Sequence, residues 1–145
     1  MQKEWHKIII DTNLWISFLI SNQIQFVSEL VLARHLIFSD ELLSEILNVV
    51  WRPKLQKLFS EENIKVLFEI INDYAEFIEV SSEINICRDK KDNYLLALAK
   101  DSQADFLITG DDDLLSLKEF EGTKIIKIAD YKTLIQESNS ETQDK

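Results

Sequence analysis

At 145 residues, 46% of them hydrophobic and 29% charged, the chain has the composition of one soluble globular domain that buries about two-thirds of its unfolded surface. A single cysteine, Cys87, excludes an internal disulfide, and no apolar run approaches the ~20 residues needed to cross a bilayer or the length of a signal peptide. The net charge of -10 opposes a phosphate backbone, so any action on nucleic acid has to overcome it.

Lys7–Ile10 is β-branched and too brief for a helix, and reads as a buried strand. From Asn13 to about Arg34, the residues Leu14, Phe18, Val27, Leu30, Val31 and Ala33 suggest one or two helices with a break around Ser21–Asn22. His35–Ser39 is a second strand. Asp40 then stands as the N-cap of a helix carrying Leu42, Leu43, Ile46, Leu47 and Val50, which Pro53 ends near Trp51–Arg52. Ser60 opens a helix whose apolar positions Ile64, Leu67, Phe68, Ile71 and Tyr74 follow the helical period. Phe77–Val80 is a third strand, Asp92–Lys100 a helix, Asp105–Thr109 a fourth strand and Lys124–Ile128 a fifth. A short helix falls near Tyr131–Gln136. Residues 1–137 form the single domain, and the polar stretch 138–145 is expected to fray.

Short, wholly apolar strands alternating with helices predict an α/β fold with a parallel sheet covered on both faces. Ligands of such sheets bind beyond the carboxyl ends of the strands. Asp11 follows the first strand, and Asp111, Asp112 and Asp113 follow the fourth, so both groups lie on one rim. Glu45 lies near the start of the helix after the second strand, and Asp92 opens the helix before the fourth. Each has a plainer use: Asp92, Asp112 or Asp113 as helix caps, Glu45 as a solvated charge. Asp11 and Asp111 are harder to assign that way, because a carboxylate against a buried strand needs hydrogen bonds or a counter-charge. Carboxylates gathered at one rim repel each other unless a cation joins them, and no Lys or Arg adjoins Asp11 or Asp111. His6 and His35 are read as structural, leaving an all-oxygen donor set that selects Mg2+ or Mn2+. Such ions promote phosphodiester hydrolysis. Thr12, Asn13 and Thr109 are placed to orient the carboxylates, and Gly110 to keep a side chain from crowding the site.

The stretches "IIIDTNLWISFL", "SDELLSEILNVVWRPKL", "CRDKKDNYLLALAKDSQADFLITGDDDLLSL" and "KIIKIADY" resemble a PIN domain over about Lys7 to Leu134. Within that family they resemble the toxins of prokaryotic toxin–antitoxin systems. The resemblance implies a three-layer α/β/α sandwich with a central parallel sheet of about five strands. It also implies cleavage of single-stranded RNA with Mg2+ or Mn2+, a cognate antitoxin partner and a homodimer; the lone Cys87 fits a reducing, cytoplasmic setting, and the lack of a spanning apolar run implies no membrane contact. The family's acidic tetrad carries over as Asp11, Glu45, Asp92 and Asp111, with Asp11, Asp92, Asp111 and the auxiliary Asp113 as metal ligands. Asp92 is favoured over Asp89 because it opens the helix "NYLLALA". Which of Asp111, Asp112 and Asp113 touches metal stays open.

Arg52, Lys54 and Lys57, and Arg88, Lys90 and Lys91, lie near the same rim and could hold RNA phosphates; the plainer reading is solvated loops. Trp5, Trp15 and Trp51 are read as core or rim packing rather than stacking platforms. Cys87 is read as a packed residue, since nothing beside it looks like a base. Asn13, two residues after Asp11, weakens a haloacid-dehalogenase-like phosphatase, which needs an aspartate there. Receiver domains need an acidic pair at the first strand, and no Gly-rich phosphate loop exists. The alternative from another class is a non-catalytic, metal-stabilised module that binds RNA or protein.

Overall fold

The isoleucine run at the start of the chain forms the centre of the sheet, and Ile8, Ile9 and Ile10 are fully buried. The computed structural model describes residues 6–31 and 34–143. Its elements are β1 (His6–Ile10), α1 (Thr12–Ile20), α2 (Ile24–Leu30), β2 (Arg34–Phe38), α3 (Asp40–Val50), a 3-10 helix (Pro53–Leu58) and α4 (Glu61–Tyr74). There follow β3 (Ala75–Phe77), α5 (Lys90–Ser102), β4 (Phe106–Ile108), α6 (Asp112–Leu115), β5 (Glu119–Phe120), β6 (Thr123–Ile126) and α7 (Ile128–Gln143). The sheet order is β3-β2-β1-β4-β6-β5. All neighbours pair in parallel except β5 and β6. Helices α1 to α4 pack on one another, as right-handed crossovers between β1, β2 and β3 require, and β4 returns on the far side of β1. The architecture is an α/β three-layer sandwich.

Several boundaries differ from the sequence-based expectation. Ser39, not Asp40, caps α3, its hydroxyl accepting the Leu42 N–H at 3.2 Å. Likewise Asp89, not Asp92, caps α5, accepting the Lys91 N–H at 3.0 Å. Capping starts α5 two residues early and places Asp92 inside its first turn. The third strand is Ala75–Phe77 rather than Phe77–Val80, because it follows α4 directly and its register is set against Leu36–Phe38. The sheet has six strands: the five expected parallel ones and a short antiparallel edge strand, β5. The signal for β5 was "EFEGTK", where Glu121 and Gly122 both take positive φ (50° and 86°), the geometry of a two-residue hairpin turn. Helix α7 starts earlier than expected and runs through Gln143, propagating from the fully buried Tyr131; Asp144, Lys145, Ala33 and Trp5 lie outside the described residues.

Strand order reverses between β1 and β4, since β1 leads to β2 on one side and β4 lies on the other. That switch point is where open α/β sheets leave a crevice at the carboxyl ends of the strands. Asp11 and Asp111 flank it.

Candidate metal centre

Asp11 follows β1 and caps α1. Its N–H donates to the Ile108 carbonyl at 3.0 Å, extending the β1–β4 ladder one step past the strands and bringing Asp11 beside Thr109. Thr109 Oγ1 donates to Asp11 Oδ2 at 2.7 Å and accepts the Asp111 N–H at 3.0 Å. One buried hydroxyl thus ties the ends of two adjacent strands. Burial pushes the Asp11 carboxyl above its ordinary range, opposed by the bonds from Thr109 and the Thr12 N–H and reinforced by the charges of Asp111 and Glu45. Asp111 caps α6, its Oδ1 accepting from the N–H groups of Asp113 (2.8 Å) and Leu114 (3.3 Å).

Asp92 enters from α5 and is 4% exposed. Its Oδ2 is buried and has no hydrogen-bond partner among the described residues. Burial first, then the charges of Asp111, Asp89 and Asp11, push its carboxyl up to about 7. Carboxylate oxygens of Asp92, Asp111 and Asp113 all lie within 4.8 Å of one another. Asp11 and Glu45 are outside that trio, but share with Asp92 and Asp111 the walls of a cavity of about 290 Å³. Asp113, which is exposed, does not line that cavity. Asp92 and Asp111 are therefore common to both groupings. An all-carboxylate set with an unpaired buried oxygen suits a hard divalent cation.

Glu45 is held by three groups from two elements, α1 and α5. Its Oε2 accepts from Thr12 Oγ1 at 2.8 Å and from the Tyr94 hydroxyl of α5, while Lys91 Nζ lies 3.5 Å from Oε1. Burial, and then the bond to Glu45, push the Tyr94 phenol far above its ordinary range, so it stays a proton donor. The Thr12 hydroxyl therefore orients Glu45, while its N–H serves Asp11. Asn13 is exposed and lines the cavity. Gly110 does not protect the site: a Cβ there would meet nothing within 4 Å.

A PIN domain family model matches residues 7–113. The chain belongs to the PIN domain family. It is 35% identical over 124 residues to uncharacterized protein MJ1680 of Methanocaldococcus jannaschii, covering 82% of this chain and 79% of that protein. In fold it is similar to a chain in the crystal structure of VapBC2 from Rickettsia felis bound to a DNA fragment from their promoter. That match has a TM-score of 0.52 and 15% identity over 82% of this chain and 96% of the other.

The cations of this PIN domain separate in space. Arg52 and Lys91 line the cavity with the carboxylates. Arg88 Nη2 lies 3.7 Å from Asp113 Oδ1. Lys90 lines a different cavity, with Glu41 and Ser82, and Lys54 and Lys57 stand exposed on the 3-10 helix. Tyr94 and Asn93 were not anticipated. Asn93 pins the loop before α5, accepting the Cys87 N–H at 2.9 Å and donating to its carbonyl at 3.0 Å. Tyr94 had one legible signal, a hydroxyl two residues after Asp92 in an otherwise apolar run, where a buried phenol needs a partner. Cys87 is packed rather than activated: burial and then Asp92, Asp113, Asp111 and Asp89 push its thiol up.

Proposed function

We propose that this PIN domain is a Mg2+- or Mn2+-dependent endoribonuclease hydrolysing phosphodiester bonds in single-stranded RNA, and the toxin of a toxin–antitoxin pair. The observation that carries the reading is the unpartnered Asp92 Oδ2 among carboxylates at the switch point of the sheet. A buried carboxyl such as Asp92, set against other carboxylates, is costly in a folded protein, and a bound cation relieves that cost. Asp92, Asp111 and Asp113 would hold the ion, with Asp11 held toward the same cavity by Thr109. Such an ion supplies Lewis acidity at a phosphoryl oxygen and lowers the pKa of bound water.

The chain's own groups divide the remaining work. Thr12 and Tyr94 occupy Glu45 Oε2, leaving Oε1, paired only with the exposed Lys91, to take the proton of the attacking water. As the water oxygen bonds to phosphorus, the opposite P–O bond breaks and the leaving oxygen takes a proton from solvent. Arg52 and Lys91 offer positive charge at the cavity wall for the phosphates on either side, offsetting locally the charge of -10. Membership of a family generally made of nucleases supports the reaction class. The motif resemblance, with the fold likeness to VapBC2, supports an antitoxin protein as partner; the motif resemblance alone supports a homodimer, and the single Cys87 a reducing, cytoplasmic setting. No helix among the described residues is long and apolar enough to cross a membrane.

The test is cleavage of a mixed-sequence single-stranded RNA with Mg2+, Mn2+ or EDTA, alongside an equally purified Asp11→Asn protein. Metal-dependent cleavage that disappears in the variant supports the reading. Equal cleavage by both marks a contaminant. Tight Mn2+ binding with no cleavage of any RNA would replace the enzyme with a metal-stabilised binding module.

A further inference from the structure

We infer that Trp51, backed by Phe68, is a stacking platform for an unpaired base of the RNA strand just outside the catalytic cavity, an inference that rests on the ribonuclease reading. Trp51 is 57% exposed, whereas Trp15 is fully buried. Its ring stands 6.4 Å from Phe68, tilted by 33°, and Phe68 is itself exposed. Large aromatic area left in water where a fully formed core lies beneath is a feature of surfaces that receive a ligand.

Its place in the chain ties it to the site. Helix α3 presents Glu45, Asn48 and Val49 to the catalytic cavity, and Arg52, the residue after Trp51, lines the same wall. Trp51 lies in the chain between Val49 and Arg52, both on that wall, and its Cα is about 3.8 Å from that of Arg52. Arg52, Lys54 and Lys57 follow, and none of the three forms an ion pair among the described residues. On a chain of net charge -10, three cations within six residues make a local basic stretch that favours phosphate. Beyond Phe68 the face of α4 is net acidic, where Glu61, Glu69 and Asp73 outnumber Lys65 around a shallow cavity lined also by Phe68. A strand is therefore repelled from that face and directed along the 3-10 helix, with a base over Trp51 and phosphates at Arg52, Lys54 and Lys57. Stacking needs a base free of a duplex and tolerates any base, because every base has a π-face.

The test is steady-state cleavage of a single-stranded RNA octamer with Mn2+ by the wild type, Trp51→Ala and Trp51→Phe, with tryptophan emission followed on adding RNA. Trp51→Ala is expected to raise KM roughly 10-fold with kcat changed less than twofold, and Trp51→Phe to recover most of the loss. RNA is expected to quench wild-type emission, and Trp51→Phe to lack that quenching. Equal KM for all three proteins overturns the platform while leaving the ribonuclease standing. Unchanged KM with an altered sedimentation mass for Trp51→Ala overturns it in favour of a protein interface. A wild type that cleaves no RNA with metal removes the ribonuclease reading and this inference with it.

Discussion

The two ends of the sheet treat buried polar groups in opposite ways. At the amino ends of the strands they are paired: Lys7 N–H donates to Asp105 Oδ2 at 2.8 Å, and Thr123 Oγ1 donates to the Ala104 carbonyl at 2.6 Å. Arg34 donates to the Tyr131 hydroxyl at 3.2 Å and to the Leu30 carbonyl at 3.1 Å. His6, Phe106 and Tyr131 stack edge-on around them. At the carboxyl ends five acids, Asp11, Glu45, Asp89, Asp92 and Asp111, line one cavity, Asp92 Oδ2 has no hydrogen-bond partner among the described residues, and Asp11 and Asp92 are pushed up by burial. The amino rim satisfies its groups internally and holds the sheet together. The carboxyl rim leaves a buried acid unsatisfied, as the proposed metal site would require.

That contrast can be broken from either end. The largest effect is expected from Asp111→Asn, which should lower metal-dependent cleavage more than about 100-fold, beyond the usual loss for an outer-sphere partner, with little change in far-UV circular dichroism. Near-wild-type cleavage would remove Asp111 from the site. At the opposite rim, Tyr131→Ala should cost about 3–5 kcal/mol of stability, read as a fall in the denaturant midpoint. Its activity per folded molecule should persist at low temperature; selective loss of activity instead would mean that the two ends are coupled.

A smaller effect with a sign of its own concerns Asp92. Its folded pKa of about 7 lies above the ordinary 3.8, so the metal-free folded state binds a proton that the unfolded chain has released between those values. Asp92 therefore weakens the metal-free protein progressively as pH rises from about 4 to about 7, by at most about 4 kcal/mol. Asp92→Asn should raise the Tm measured in EDTA at pH 8 by several degrees and much less at pH 5. A lower Tm at pH 8 would make Asp92 a structural residue. Mn2+ affinity of the wild type should rise with pH toward 7, as binding displaces that proton. The smallest effect belongs to Tyr94→Phe, which frees one oxygen of Glu45: roughly a 10-fold loss in kcat with Tm within a few degrees of wild type, checked by single-turnover cleavage and melting.

Asp11 and Asp111 were legible because each ends an unbroken apolar run, and a carboxylate there needs a reason. The parallel sheet was legible from the same runs. The start of α5 was not, because "CRDKKDN" offers two aspartates as cap and only the hydrogen bond from Lys91 N–H to Asp89 distinguishes them. Thr12 was expected to orient a carboxylate, but the sequence did not say which; the turn of α1 aims its hydroxyl at Glu45, 33 residues away. Trp51 could not be separated from Trp15 by composition, since both follow helical apolar positions.

By itself, the sequence determined the order of strands and helices, the acidic residues at strand ends and the absence of competing cofactor motifs, because hydrophobic period and turn chemistry act locally. The tertiary structure decided which of those acids meet. Strand order puts β1 beside β4, so Thr109 bridges to Asp11 across 98 residues and Asp92 descends from α5 to face Asp111. Burial, and with it the orphaned oxygen and the raised carboxyl of Asp92, is a property of that assembly alone, since desolvation exists only once the helices close over the rim.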